Sequence, residues 1–502
     1  MNSPHIRISH LYEDLERSLA FLKKDTSRIR ASQAIVAKAL HDGKTYYGIN
    51  TGFGPLAQTR IDADQVTQLQ RNLLLSHAVG VGDLLPKDIS RLMLLLKIHA
   101  LGLGYSGISL ETFGRLLDFA ERDLISAIPS KGSVGASGDL APLAHLALPL
   151  LGYGYFWDRT GDDTIPATDV LQQHGMGPIE LHAKDGLSII NGTQLMSGCG
   201  TYVLEQTINL LKVADILAAM SLEALQGSLK PFDERIHHLR PYAGQLQVAQ
   251  NIRRLLVSSE ILESHRQCGK VQDPYSLRCV PQVHGATRDS LQHARAIVET
   301  EVNSVTDNPL VFEDGDIISG GNFHGQPLAL VLDFAAIALA SLGNISERRT
   351  YLLLEGHDGL PVLLMKDTGI NSGFMIPQYT AAALVSENKV LGHPASVDSI
   401  PTSLGHEDHV SMGSISALKL LRVLENVQQV LAVELMTAAQ ALDYRKPVRP
   451  GRGVELAQEH VRSIIPHAEK DHYFKDELSR CVELVRTKDL VAAIEKELGP
   501  LQ

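Results

Sequence analysis

Three glycines fall within seven residues at the head of the stretch Gly132–Pro142, GSVGASGDLAP. A phosphate-cradling loop would need a lysine after its last glycine, and none follows Gly138. A serine nucleophile elbow would need G-x-S-x-G, but Asp139 stands where the second glycine belongs. Helix capping accounts for part of the pattern, because Ser137 or Asp139 can accept a backbone N–H bond at the start of the apolar run that follows. Capping does not ask for so much glycine. A third chemistry uses the backbone itself. If the Gly138 amide nitrogen attacks the Ala136 carbonyl carbon, a five-membered ring closes. Loss of water from the ring, and of the Ser137 hydroxyl as a second water, leaves a methylidene conjugated to an imidazolone. Serine is required in the middle because only a β-leaving group gives the methylidene. Glycine is required third because a Cβ would obstruct the close approach.

Such a loop needs a rigid frame, and the rest of the chain reads as helical. The 502 residues are 44% hydrophobic and 21% charged, as in ordinary globular proteins; length alone suggests about three domains. Helical periodicity covers 65–78 and 88–103. Two longer proline-free segments, 193–227 and 414–446, are apolar on nearly every face. Helices of about 30 residues span roughly 45 Å, a length that suits a bundle. Burial on several sides points to subunit assembly. The stretch LVFEDGDIIS reads as a hairpin turning at Asp314-Gly315. The expected class is mainly α: a smaller mixed N-terminal part, 1–190, carrying the glycine-rich loop, then a long-helix bundle, 191–502. The polar, turn-rich segment 151–186 lies ahead of that boundary.

A net charge of −11 argues against nucleic acid or an anionic membrane surface as partner. Cys199, Cys268, Cys279 and Cys481 form no C-x-x-C pair, so neither a disulfide framework nor a zinc ribbon is expected. In HEDHV, 406–410, the histidines stand at i and i+3 rather than the metal-binding i and i+4, and no metal is expected. No signal peptide and no membrane span are expected, which places the chain in a reducing cytoplasm.

Several further clusters stand beside the loop: YYGINTGFGPLAQ (46–58), RNLLLSHAVGVG (71–82), GLSIINGTQL (186–195), VQDPYSLRCVPQVHG (271–285), SVTDNPLVF (304–312), SGGNFHGQPLAL (319–330) and HEDHVSMG (406–413). With GSVGASGDLAPLAH they resemble the aromatic amino acid ammonia-lyase family, over essentially the whole chain. The resemblance implies a mostly helical homotetramer whose active sites are each built from three subunits. It implies that Ala136, Ser137 and Gly138 form a methylidene-imidazolone (MIO) with no external cofactor. It also implies that Tyr47 is the base that removes the substrate β-proton, favoured as an anion by positive or donor neighbours. Arg278 would grip the substrate carboxylate with its two-pronged donor. Asn191 and Tyr275 would support the ring and its formation, and Gln272 and Phe323 would line its surroundings. On residue type alone Asn191-Gly192 could be a turn, Arg278 an ion-pair partner and Phe323 ordinary core.

Two departures touch the pocket. His324-Gly325-Gln326-Pro327 differs from the His-Ala-Glu-Pro of many histidine-specific members, and His406 sits where glutamine is common. Substrate choice is read at Ser76-His77 and Glu407. A neutral imidazole has one donor and one acceptor nitrogen, which His77 and a carboxylate can satisfy together. The expectation is deamination of L-histidine to trans-urocanate and ammonia. The alternatives are a phenylalanine or tyrosine lyase, an aminomutase with the same ring, or an inactive helical scaffold whose loop stays uncyclised.

Overall fold

The structure, a computed structural model, describes residues 4–266 and 269–502. Cys268 lies outside the described residues. Helices dominate, as expected, and the strands make only three two-stranded sheets among the described residues. Four long helices stand out: Gln194–Ala224, Val280–Val302, Gln326–Leu354 and Gly413–Asp443. The first and last match the proline-free segments of the sequence. Both are buried along most of their length within a single chain, so they are not the source of exposed apolar surface that their composition suggested. The shorter periodic segments fold as Val66–His77 and Lys87–Gly102. The hairpin is present: Leu310 pairs with Ile318 and Val311 with Ile317, and Gly315 turns the chain at a φ of +97°.

The chain groups into two compact units, each assembled from three stretches. The first takes in the chain up to Val203, then Ala294–Asp333 and Pro394–Leu420. It contains the glycine-rich loop, the hairpin and the strands Tyr155–Trp157 and Thr164–Pro166 of the turn-rich segment. The second comprises Leu204–His293, Phe334–His393 and Leu421–Gln502.

One helix departs from expectation. Gln326–Leu354 is long and apolar enough by composition to cross a membrane, with a mean hydropathy of 2.0 over its most apolar stretch. Yet 67% of that stretch is buried inside the protein, and the helix carries the buried charges Asp333, Glu347 and Arg349. It is largely a core helix, with Leu330, Phe334 and Ile337 left exposed along it.

Candidate active site

The loop opens the helix Leu140–Ala147, but neither Ser137 nor Asp139 caps it. Asp139 instead serves another helix. Its Oδ2 accepts the backbone amides of Leu195 and Met196, at 2.9 and 3.1 Å, in the first turn of Gln194–Ala224. Those amides have no partner inside their own helix, and an anion at a helix N-terminus is favoured. Against this pull, burial pushes the Asp139 carboxyl up to about 7.

The triad is held against the segment Asn191–Gly192, which precedes the same helix. Gly138 runs beside Gly192 in a short parallel pairing. The Asp139 amide donates to the Gly192 carbonyl at 2.7 Å, and the Gly192 amide donates to the Ser137 carbonyl at 3.4 Å. A Cβ on Gly138 would stand 1.9 Å from the Gly192 oxygen, so only glycine fits. Ser137 adopts a left-handed φ of +49° and Gly138 follows at +80°, the backbone region that L side chains avoid. Ala136 packs with Val410 and Met412.

Ser137 and Ala136 open onto a cleft of about 1180 Å³ within the first unit. Tyr47, His77, Asn191, Phe323 and Glu407 line it too. The Ser137 hydroxyl donates to Glu407 Oε1 at 3.0 Å. Glu407 Oε2 is fixed by the hydroxyls of Thr402 and Ser403, at 2.6 and 2.9 Å. The Gly54 amide donates to the Tyr47 hydroxyl oxygen at 3.2 Å, a donor aimed where a phenolate charge would sit. His77 ends the helix Val66–His77, with Nδ1 3.0 Å from Ser76 Oγ. Burial lowers its imidazole below the usual value, opposed by the Leu73 carbonyl and Glu407. Asn191 Oδ1 is buried without a hydrogen-bond partner among the described residues, which leaves it free to bond a group absent from an uncyclised loop. The glycine-only contact, the left-handed serine and this spare acceptor all fit a ring closed from Ala136, Ser137 and Gly138.

The chain is similar to known proteins along nearly its full length. Residues 8–463 match the model of the aromatic amino acid lyases. The chain belongs to that family. It is 51% identical over 470 residues to a histidine ammonia-lyase of Myxococcus xanthus, covering 93% of this chain and 92% of the relative. Among solved structures, histidine ammonia-lyase from Trypanosoma cruzi superposes with a TM-score of 0.87 at 42% identity, over 95% of this chain and 90% of that one. Tyrosine aminomutase from Streptomyces globisporus superposes with a TM-score of 0.90 at 35% identity, over 100% and 99%. Backbone likeness thus spans lyases and aminomutases.

Of the residues singled out in the sequence, Gln272, Tyr275 and Arg278 do not line the cleft; they belong to the second unit. Tyr275 is 71% exposed. The Arg278 guanidinium carbon stacks 4.5 Å from its ring centroid, and Arg278 Nε is buried without a partner. The sequence reading does not pair two further lining residues. His324 and His409 lie with near-parallel rings 6.0 Å apart, and His324 Nε2 is 3.2 Å from the His409 carbonyl. Both histidines stand in motifs quoted above, but only the fold shows that the motifs meet.

Proposed function

We propose that the chain deaminates L-histidine to trans-urocanate and ammonia at this cleft, with a methylidene-imidazolone formed from Ala136, Ser137 and Gly138. The observation that carries the reading is the cleft itself, where the one triad residue with a leaving group shares a single hollow with Tyr47, His77 and Glu407. The ring supplies an electrophile for the substrate amine. Tyr47, held by the Gly54 amide, takes the β-proton. His77 and Glu407 satisfy the two nitrogens of the substrate imidazole. Departure of the Ser137 hydroxyl frees Glu407 Oε1 for that task. Facing a benzene ring instead, the Glu407 oxygen that Ser137 releases would find no partner on the substrate.

Gln272, Tyr275 and Arg278 act in the cleft of a neighbouring copy within a homotetramer, so that each active site is shared. The exposed Tyr275 ring and the unpartnered Arg278 Nε support this, as do the exposed apolar residues Leu330, Phe334 and Ile337 of the helix Gln326–Leu354. A reducing cytoplasm suits the buried free thiols Cys199 and Cys481.

The test is incubation of the purified chain with L-histidine, L-phenylalanine and L-tyrosine separately, following each unsaturated acid, with an intact mass of the same sample. Urocanate should dominate, and the mass should fall short of the sequence mass by two waters. The double substitution His77→Phe, Glu407→Gln should shift preference toward phenylalanine. Preference of the unmodified protein for phenylalanine or tyrosine would overturn the substrate, and a β-amino acid product would point to an aminomutase.

A further inference from the structure

Two lysines are buried to the same degree in the first unit, and they are partnered differently. Lys184 Nζ pairs with Asp307 at 2.7 Å, both side chains being almost wholly buried. Burying an ammonium is costly, and an ion pair offsets part of the cost. Lys97, on the helix Lys87–Gly102, is 2% exposed. Among the described residues no carboxylate lies within ion-pair distance of it, and its one hydrogen-bond acceptor is the main-chain carbonyl of Asn191, at 2.6 Å. A buried amine whose only bond goes to a backbone carbonyl is a poor stabilising device. Its position gives it another use.

Asn191 precedes Gly192, and Gly192 is the surface on which the triad lies. The Gly192 carbonyl takes the Asp139 amide, the Gly192 amide donates to Ser137, and the space at Gly138 is closed by Gly192. Whatever fixes Asn191 fixes the wall against which Ala136-Ser137-Gly138 is bent. We infer that Lys97 is a positioning residue for ring closure: it anchors the Asn191–Gly192 segment so that the Gly138 nitrogen is pressed toward the Ala136 carbonyl carbon. The inference rests on the proposed MIO chemistry and extends it to maturation.

The step it serves is balanced. The Gly138 nitrogen forms a bond to the Ala136 carbonyl carbon, and the Gly138 N–H proton passes to the carbonyl oxygen. That oxygen leaves as water with the Ser137 N–H proton, giving the ring C=N bond. The Ser137 Cα–H proton and Oγ–H then leave as the second water, giving the methylidene. No oxidant or reductant is needed. Burial brings Lys97 down to about 7, with Asp307 pulling it back up; charged or neutral, the nitrogen still donates.

The full chain is expressed as wild type, Lys97→Met, Lys97→Gln and Lys97→Arg. Ring closure is followed by intact mass and near-ultraviolet difference absorbance over time after synthesis, beside the thermal midpoint. Wild type should show the two-water deficit. In Lys97→Met and Lys97→Gln closure should slow by roughly tenfold to a hundredfold, the scale of one lost hydrogen bond to a charged donor; glutamine is too short to reach. Lys97→Arg should restore most of the rate. A folded Met or Gln variant that closes as fast as wild type overturns the inference. So does failure of both to fold, since the lysine is then structural. Wild type without the deficit would overturn the MIO reading itself, a separate outcome.

Discussion

Each unit buries a cluster of charge, and the two clusters differ in how completely they are answered. In the second unit Glu434 accepts from Ser221 at 2.7 Å, from Ser346 at 2.6 Å and from Arg349 through Nε and Nη2 at 2.5 and 2.8 Å. Asp215 accepts from His284, Arg288 and Asn251 at 2.8, 2.6 and 2.9 Å. Burial works to raise the Asp215 pKa, yet Arg288 and His284 hold it below the usual carboxylate range. Around the loop of the first unit burial prevails, as it does at Glu223 of the second, which is pushed up to about 7. Asp139 is pushed up to about 7, Glu301 is raised despite its bond from Thr193, and Lys97 comes down to about 7 without a counter-ion in reach. Asn191 Oδ1 and Gln194 Oε1 have no partner among the described residues. Matched charges hold a fold together. The unmatched ones lie beside the strained loop, the setting in which such groups cluster at functional sites.

Substitution separates these roles. Ser137→Ala removes the leaving group and a single hydrogen bond, so activity should fall to near background while the thermal midpoint stays within a degree or so of wild type; full turnover in this variant would refute the triad assignment. Tyr47→Phe should keep the two-water deficit and lose about 10²–10⁴ in kcat/KM, the usual range for a general base. Unchanged deamination would move the base elsewhere. The second unit should respond in the opposite sense. Arg349→Met strands Glu434 in the interior and should cost roughly 3–5 kcal/mol of stability, measured by denaturant unfolding, with the ring still formed in whatever fraction folds. Equal stability would mean that the matched cluster is not what holds this unit.

The parts legible in the sequence are those with local causes. The helices at Gln194–Ala224 and Gly413–Asp443 announce themselves by apolar residues without proline, and the hairpin by Asp314-Gly315. The reading divides the chain at Asn191 into consecutive parts, whereas the contacts group it into interleaved units, because the chain returns to the first unit at 294–333 and again at 394–420. No local pattern encodes such a return. Lys97 sits in the run RLMLLLKIHALGL and reads as a helix residue; its partner is 94 positions away. The Asp139 cap is likewise remote, 56 and 57 positions from the amides that it holds. Tyr47, His77, Asn191, Phe323 and Glu407 each stand in a motif, and the fold gathers them into one cleft. Gln272, Tyr275 and Arg278 stand in an equally clear motif but fold into the other unit.

The smallest effect expected comes from a third kind of buried group in the first unit, one that is satisfied while neutral. His99 is 2% exposed, its Nδ1 is 2.7 Å from Ser18 Oγ, and burial lowers its pKa to about 4 from a usual value of 6.5. As pH falls, the unfolded chain takes up this proton first and the folded protein refuses it. The His99 contribution to stability is therefore whole above about pH 6.5 and is lost progressively toward pH 4. Asp139 acts with the opposite sign: its raised pKa gives stability that is whole below its usual 3.8 and is lost as pH rises through about 7. Over the same interval the two groups oppose each other, so the total stability of the wild type is a poor probe of either. The difference between wild type and His99→Gln isolates one of them, since Asp139 is common to both. Urea unfolding at pH 7 and pH 5 should show wild type losing roughly 2 kcal/mol more than His99→Gln, about 1.4 kcal/mol for each pH unit of unequal proton binding. Parallel losses in the two proteins would mean that His99 takes its proton in the folded state as readily as in the unfolded one. The burial that distinguishes the first unit's unmatched groups would then be weaker than its geometry implies.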